Sequence, residues 1–239
     1  MVREKITRRS EYRVVNYSDE HWRLLRDLRS IAIEILKVLH KRGIEAYVHG
    51  SVARGDVKKN SDVDIVILDP IPPYLVEHVL EENNIEVIAR YIIVATPTCT
   101  PKAKIVLDSE EKRTISFPLY PYKPREFEFY KFGGIIDLNE LLKEKRVPGV
   151  NKKLMFIEPT EQGHVEFSIM GYENLVASKL GVSIETVYER VSVLSRRDEI
   201  GRTGIFVEYM LNPEETFEEA LENILKKHSI IKESLKDRM

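Results

Sequence analysis

HGSVARGDVKKNSDVDIVIL, residues 49–68, is the part of the sequence from which we predict both the architecture and the function. Asp62 and Asp64 stand two residues apart at the start of an otherwise apolar run. Such a run predicts a buried strand, on which alternate side chains project from the same face. Two neighbouring carboxylates resist ionisation unless a cation lies between them. Hard oxygen ligands at this spacing suit Mg²⁺, which proteins bind through one or two carboxylates together with water and phosphate.

The first half of the same stretch predicts a phosphate-binding bend. Gly50 allows a ligand to approach the backbone closely, and the Ser51 hydroxyl can donate to a phosphate oxygen. A helical turn that starts at Val52 would direct free N–H groups towards the same anion. Arg54 and Lys58 add cations that suit phosphate. The alternative is a surface turn followed by an aspartate that happens to precede a strand.

Outward from this stretch, the pattern alternates between helical and extended periodicity. A helix that begins at Ser18 or Asp19 precedes it and ends near Gly43, and Pro72 and Pro73 begin another. Strands are predicted at residues 44–48, 63–68, 104–107, 114–117, 126–129, 154–157 and 165–169. The last helix is predicted to start at residues 212–215. This alternation predicts an α/β (α+β) fold.

The Gly-Ser pair followed by Asp-x-Asp on a strand resembles the signature of the DNA polymerase beta-like nucleotidyltransferase superfamily. It is particularly similar to the small minimal nucleotidyltransferases of prokaryotes, and the overall organisation is similar to archaeal predicted nucleotidyltransferases with a C-terminal helix-turn-helix. The resemblance implies a polymerase beta-like mixed sheet with flanking helices. It also implies that Asp62 and Asp64 bind two Mg²⁺ ions. Gly50, Ser51, Arg54 and Lys58 are then the predicted nucleotide-binding residues.

The same resemblance implies a third carboxylate on a later strand, and the sequence offers no clear residue for it. Ser116 occupies the first position to consider. Our choice for this catalytic role is Glu128, within the predicted strand 126–129, with Asp108 and Glu126 as alternatives. Each of these is equally well explained as a solvated acid at a strand edge. If none serves, the protein binds nucleotide without turnover.

The C-terminal part predicts a helix-turn-helix over residues 172–197. Gly181 suits the end of its first helix, and Ser183 suits the cap of the second. The pair resembles the helix-turn-helix of transcriptional regulators, and the segment that follows, residues 196–204, predicts a basic wing, which together make a winged-helix-like module. The predicted nucleic-acid-binding residues are Thr186, Arg190, Arg196, Arg197 and Arg202. The alternative is a helical pair that packs on the rest of the chain or on a second subunit.

Composition limits the class of protein. Lys and Arg (37) nearly balance Asp and Glu (39) over 239 residues, so no global attraction to nucleic acid or membrane is expected. One cysteine excludes an internal disulfide framework and favours a cytoplasmic location. No apolar run approaches the length of a membrane span, so no membrane partner is expected. A single glutamine among many Lys, Arg and Glu residues favours a thermophile as the source.

We predict three segments: a charged arm at 1–17, a nucleotidyltransferase domain at 18–145, and a helix-turn-helix domain with a C-terminal helix at 146–239. The first hypothesis is an enzyme with Mg²⁺ as cofactor that transfers a nucleoside monophosphate from a nucleoside triphosphate, with ATP as first choice, to a hydroxyl. A homodimer is one possible assembly. The alternatives are a DNA-binding regulator that senses nucleotide without turnover, and an antitoxin-type enzyme that modifies a partner protein.

Overall fold

The structure is a computed structural model that describes residues 6–7, 12–201 and 204–238. The chain divides into two compact units that interleave along the sequence. The first unit comprises residues 1–33, 48–61 and 127–203, and the second comprises residues 34–47, 62–126 and 204–239. The predicted boundary near residue 145 falls inside the first unit, so the sequential division into three segments stays a prediction.

The described residues form nine α-helices and eleven strands. The helices are α1 (Asp19–Lys41), α2 (Ser51–Arg54), α3 (Pro73–Glu82), α4 (Pro124–Gly133), α5 (Leu138–Leu142), α6 (Glu173–Leu180), α7 (Ile184–Ile200), α8 (Phe217–Lys227) and α9 (Ser229–Leu235). The strands are β1 (Arg13–Asn16), β2 (Tyr47–His49), β3 (Val63–Val66), β4 (Ala89–Val94), β5 (Lys102–Val106), β6 (Arg113–Pro118), β7 (Ile135–Asp137), β8 (Gly149–Val150), β9 (Met155–Thr160), β10 (Gly163–Ser168) and β11 (Val207–Met210). None of the helices described is both long and apolar enough to cross a membrane.

The second unit is built on a mixed sheet whose strands lie in the order β11-β4-β5-β6-β3. β3 and β6 run parallel, whereas the other neighbouring pairs run antiparallel. One face of the sheet is apolar, and Ile65 and Ile115 on that face are fully buried. The opposite face carries Asp64, Ser116 and Lys104 at alternate positions, and all three are partly exposed. The sheet therefore buries one face and presents a carboxylate on the other.

The first unit contains an antiparallel sheet in the order β1-β10-β9-β8. Phe156 on β9 and Phe167 on β10 are fully buried, and their ring centroids lie 5.1 Å apart. Helices α6 and α7 join the same apolar cluster through the fully buried Val176 and Val187. The helix pair of the C-terminal part is thus attached to this sheet by a shared core.

Several local predictions are confirmed. The strands predicted at 104–107 and 114–117 correspond to β5 and β6, which pair antiparallel. The strands predicted at 154–157 and 165–169 correspond to β9 and β10, which also pair antiparallel. Helix α3 starts at Pro73. Helix α6 ends at Gly181, whose φ of 61° is left-handed, and the Ser183 side chain accepts the Thr186 N–H at the start of α7. The two helices and the turn between them are therefore present, while a DNA-binding helix-turn-helix and a winged-helix module stay predictions.

The predicted strand at residues 126–129 is wrong, because these residues lie in α4. Alternating Glu and Phe residues suggested the period of a strand. Pro124 occupies the first turn of the helix instead, where its missing N–H costs nothing. The Glu126 carboxylate accepts the Lys123 N–H at 3.0 Å, which satisfies a backbone donor at the helix start. Local capping therefore outweighs the alternation.

Two further boundaries are corrected. The last long helix does not start at residues 212–215, because Thr216 and Glu219 form a complete capping box at the N-terminus of α8. The predicted wing does not begin at residue 196, because α7 continues to Ile200 and includes Arg196 and Arg197. Strand β11 pairs with β4 of the second unit rather than completing a hairpin behind α7.

Candidate active site

The bend at Gly50 and Ser51 is a strand-to-helix turn of the first unit. Strand β2 ends at His49, and Gly50 then adopts φ 84° and ψ −140°, a conformation that only glycine takes at low cost. The Gly50 N–H donates to the Gly134 carbonyl at 2.9 Å. No described atom lies within 4 Å of the point where a Cβ on Gly50 would stand, so a ligand can approach this backbone. The predicted helical turn after Gly50 is confirmed as α2.

Two serine hydroxyls close the loop that follows the bend. Ser51 Oγ donates to Ser61 Oγ at 3.2 Å, and Ser61 Oγ accepts the Lys58 N–H at 2.9 Å. The Lys58 side chain on this loop is exposed. Contact of Gly50, Ser51 and Lys58 with a nucleotide stays a prediction. All three residues lie in the first unit.

Arg54 is buried and bonded to groups of the protein, and its contact with a nucleotide stays a prediction. Its side chain is 5% exposed. Nε and Nη2 donate to the two carboxylate oxygens of Asp56 at 3.0 and 3.1 Å, and Nη1 donates to the Gly133 carbonyl. The guanidinium therefore ties α2 to the end of α4. A neighbouring carboxylate and a buried carbonyl use the donors that the prediction assigned to a ligand.

Arg29 on α1 also supports the bend, and the sequence analysis missed it. Arg29 is 7% exposed, and its Nε and Nη2 donate to the Val52 and Ala53 carbonyls, both at 3.1 Å. Burial and the nearby Arg146 lower the pKa of Arg29 to about 10, so it remains charged at neutral pH. It satisfies carbonyls that α2 is too short to pair internally. The one sequence signal is a charged residue within the apolar stripe of α1.

Asp62 and Asp64 belong to the second unit, where Asp62 directly precedes β3 and Asp64 lies on it. Both are half-buried, while Val63 and Ile65 between and after them are buried. Asp64 is opposite Thr114 on the parallel strand β6, and Thr114 Oγ1 donates to Asp64 Oδ1 at 2.9 Å. This alternation confirms the strand that the sequence predicts around the pair, and the hydrogen bond orients one of its carboxylates.

The donor chemistry at this position fits Mg²⁺. Asp62 and Asp64 supply hard carboxylate oxygens, and Thr114 orients one of them. Across the described parts of the chain, no group of three or more His, Cys, Asp or Glu residues could hold a metal ion. A pair of carboxylates without a protein cage suits a cation that arrives with phosphate ligands, since Mg²⁺ is commonly bound through one or two carboxylates plus substrate phosphates.

The three acids considered for a third carboxylate all have structural partners. Asp108 Oδ1 accepts the Lys112 N–H at 2.7 Å in the turn between β5 and β6. Glu126 accepts the Thr100 N–H at 2.7 Å as well as capping α4. Glu128 lies on α4 in the first unit, so its predicted strand position is wrong. Opposite Asp64 and Val66 of β3, strand β6 carries the hydroxyl residues Thr114 and Ser116.

The Glu128 carboxylate caps α7. Its Oε2 accepts the Ser183 N–H at 3.0 Å and the Ser183 and Thr186 hydroxyls at 2.5 Å. Burial raises the pKa of Glu128, but the hydrogen bonds from Ser183 and Thr186 outweigh it and hold the pKa below the ordinary value. An anion at this point also complements the positive end of the helix. Glu128 therefore attaches α7 to α4, and we do not propose it as a catalytic acid.

Substitution Glu128→Gln is expected to lower the free energy of unfolding by about 1 kcal/mol at neutral pH. Because the folded-state pKa lies below the unfolded one, this stabilisation is fully present above the ordinary glutamate pKa and disappears as pH falls through the folded-state value. Urea unfolding of the two proteins at neutral and acidic pH measures it. Glu86→Gln, at an exposed position, is the control. A difference that is unchanged or larger in acid would contradict the capping role.

The predicted nucleic-acid-binding residues that the structure describes differ in exposure. Thr186 is 2% exposed and bonded to Glu128, so the structure gives no support for its contact with nucleic acid. Arg190 lies with its guanidinium carbon 4.8 Å from the centroid of the Phe129 ring. Arg196 and Arg197 are exposed on the last turns of α7. Arg202 lies outside the described residues.

The comparison with protein families identifies the class of protein. The chain belongs to the family of the nucleotidyltransferase domain, whose model matches residues 29–172, more than half of the sequence. This confirms the superfamily that the motif resembles and the mixed α/β fold. Membership indicates nucleotidyl transfer as the general activity and a nucleotide as substrate. No curated protein matches the chain.

Proposed function

We propose that the protein is a Mg²⁺-dependent nucleotidyltransferase that moves a nucleoside monophosphate from a nucleoside triphosphate, with ATP as first choice, to a hydroxyl acceptor. The observation that carries this proposal is the acidic pair at β3, with Asp64 oriented by Thr114, in a chain of this family. The pair follows the Gly50–Ser51 bend within one short stretch of sequence. Hard ligands for a cation and a backbone open to phosphate are the two requirements of the reaction.

Each part has a defined task in this proposal. Asp62 and Asp64 bind Mg²⁺ that arrives with the triphosphate. When bound, the metal neutralises charge on the phosphates and favours attack by the acceptor oxygen. Gly50 and Ser51 hold the triphosphate through the open backbone and the hydroxyl. The acceptor hydroxyl oxygen bonds to the α-phosphorus while the bond to the leaving pyrophosphate breaks, and the hydroxyl proton passes to solvent. Most of the catalysis then comes from positioning and electrostatics.

Isotope position in the nucleotide tests the type of transfer. We expect protein or small-molecule acceptors in a cell extract to become labelled by α-labelled ATP and Mg²⁺, and not by γ-labelled ATP. Nucleotidyl transfer retains the α-phosphate and releases the other two as pyrophosphate. Chelation of divalent cations in a parallel sample should abolish labelling. Label from the γ-position would instead indicate a phosphoryl transfer and would contradict the proposal.

A second candidate function is nucleotide binding without transfer. It is favoured by the hydroxyl residues on β6 opposite β3 and by the structural partners of Asp108, Glu126 and Glu128. A site with only two carboxylates has less basicity with which to activate an acceptor. Binding of MgATP without release of pyrophosphate, with every acceptor tried, would select this candidate over the transferase.

A further inference from the structure

Arg190 on α7 is a cation whose donors the described residues leave unused. Its Nε is buried and has no hydrogen-bond partner, and no ion pair to its guanidinium is formed by any described residue. Its one ring contact is with Phe129, whose centroid lies 4.8 Å from the guanidinium carbon. Burying a charge without an acceptor is costly, so a group of this kind requires an explanation.

The environment makes this cation expensive to keep. Burial lowers the pKa of Arg190 to about 10, and the charge of Arg197 on the same helix adds to the effect, while Glu189 opposes it. Arg190 therefore remains charged at neutral pH against the preference of its surroundings. The contact with Phe129 offsets part of this cost, since a cation is attracted to the face of an aromatic ring. A leucine or methionine would pack there at less cost, so packing alone is a poor reason for an arginine.

The position of Arg190 links it to the Gly50–Ser51 bend through residues of the first unit alone. Phe129 contacts both the Arg190 guanidinium and the His49 ring, and the centroids of the Phe129 and His49 rings lie 5.4 Å apart. His49 is the last residue of β2 and directly precedes Gly50. The His49 ring also contacts Tyr130, at 5.3 Å between centroids. Two ring contacts therefore separate the unused guanidinium from the bend.

Two attachments fix α7 in this orientation. Glu128 caps the start of the helix through Ser183 and Thr186. The next residue of α4, Phe129, meets Arg190 two turns further along α7. Adjacent residues of α4 therefore hold the start of α7 and contact the Arg190 guanidinium. A preorganised cation of this kind suits binding of a fixed anion.

We propose that Arg190 binds a phosphate group of the same nucleoside triphosphate that Gly50 and Ser51 hold, and that Phe129 positions it. This inference rests on the proposed function. A triphosphate carries successive anionic groups, so a phosphate beyond those at the bend can meet a second cation. The planar guanidinium offers paired donors that match phosphate oxygens. Arg190 thereby becomes a nucleotide ligand rather than the nucleic-acid contact that the sequence suggests.

The test is the dissociation constant of MgATP, measured by calorimetry with the full chain. Arg190→Met keeps the apolar stem on Phe129 and removes the charge, and it is expected to raise the constant by about tenfold to a hundredfold. Arg190→Lys keeps the charge but loses the fork, and a smaller rise is expected. Lys152→Met, which removes an exposed charge from the same unit, is the matched control and should leave the constant unchanged. Inorganic tripolyphosphate as a second probe should follow the same order, because the contact is to phosphate.

An unchanged constant in Arg190→Met would overturn the inference. If that variant does not fold, as judged by thermal unfolding, an unchanged constant in Arg190→Lys overturns it equally. Loss of binding to a nucleic-acid duplex with normal affinity for tripolyphosphate would also overturn it and restore the contact with nucleic acid. Failure of the unsubstituted protein to bind MgATP would refute the proposed function together with this inference, whereas normal binding by the unsubstituted protein with an unchanged constant in the variants would refute only the inference.

Discussion

Substitution Asp64→Asn is expected to lower the rate of Mg²⁺-dependent nucleotide transfer by about a thousandfold, because a metal-bound carboxylate supplies several kcal/mol of charge stabilisation. The change removes one negative charge and keeps the shape of the side chain. The amide oxygen can still accept the hydrogen bond from Thr114, which joins Oγ1 to Oδ1 at 2.9 Å in the original protein. The fold should therefore be retained. Initial rates of pyrophosphate release at saturating ATP measure the effect.

Asp69→Asn is the matched control for this experiment. Asp69 follows the same apolar run but is exposed, so its removal changes the net charge by the same amount without touching the site. We expect its rate to equal that of the unsubstituted protein. Thermal unfolding of both variants separates loss of chemistry from loss of structure. Equal rates in Asp64→Asn and Asp69→Asn would exclude the metal-binding role of Asp64.

Substitution Gly163→Ala is expected to produce the largest loss of stability, about 3 kcal/mol. A Cβ at Gly163 would stand 1.9 Å from the carbonyl oxygen of Val15, which belongs to the neighbouring strand β1. Backbone atoms cannot move aside as the end of a flexible side chain can. Strand β10 lies between β1 and β9, so the clash displaces β1 from the sheet of the first unit. Equilibrium unfolding in urea measures the loss.

Gly43→Ala separates this clash from the general cost of replacing a glycine. Gly43 has a φ of 73°, and no described atom lies within 4 Å of a Cβ placed there. Its substitution should cost only the backbone strain of a left-handed alanine, about 1 kcal/mol. The two variants should therefore differ by about 2 kcal/mol. Equal losses in both would show that the close approach of β1 to Gly163 is not maintained in solution.

The parts of the fold that the sequence predicts are those controlled by local chemistry. Pro73 at the start of α3 and Gly181 at the end of α6 act through their own backbone preferences, which do not depend on distant contacts. The same reasoning applied to Pro124 would have found α4. The Glu-Phe alternation at 126–129 indicates a strand instead and conflicts with the signal from that proline. A period of two over four residues is too short to exclude a helix.

The residues of the candidate site fall into the same two groups, those that are recognisable from local sequence and those that depend on distant partners. Gly50 and the acidic pair are recognisable from residue type and spacing, because each acts through its own backbone or charge. The roles of Arg54 and Glu128 depend on partners far away in the sequence, such as Gly133 and Ser183. Spacing alone carries no information about such partners. A charged residue near a motif is therefore easily assigned to ligand binding even where its role is to stabilise the fold.

The two units interleave along the chain, and the residues after the predicted boundary near 145 contribute to both of them. Residues 146–203 add β8, β9, β10, α6 and α7 to the first unit, whereas β11 and α8 belong to the second. The chain therefore returns to the second unit after the helix pair. The family match from 29 to 172 likewise crosses the proposed boundary. Composition shifts such as the Pro148–Gly149 turn mark a change of element here.

We propose that the acidic pair at β3 binds the Mg²⁺ on which nucleotidyl transfer by this protein depends. The most direct test measures incorporation of label from α-labelled ATP in a cell extract and compares the unsubstituted protein with a variant that carries both Asp62→Asn and Asp64→Asn. We predict incorporation by the unsubstituted protein, and none above background by the double variant at the same folded concentration. Equal incorporation by the two proteins would contradict the claim.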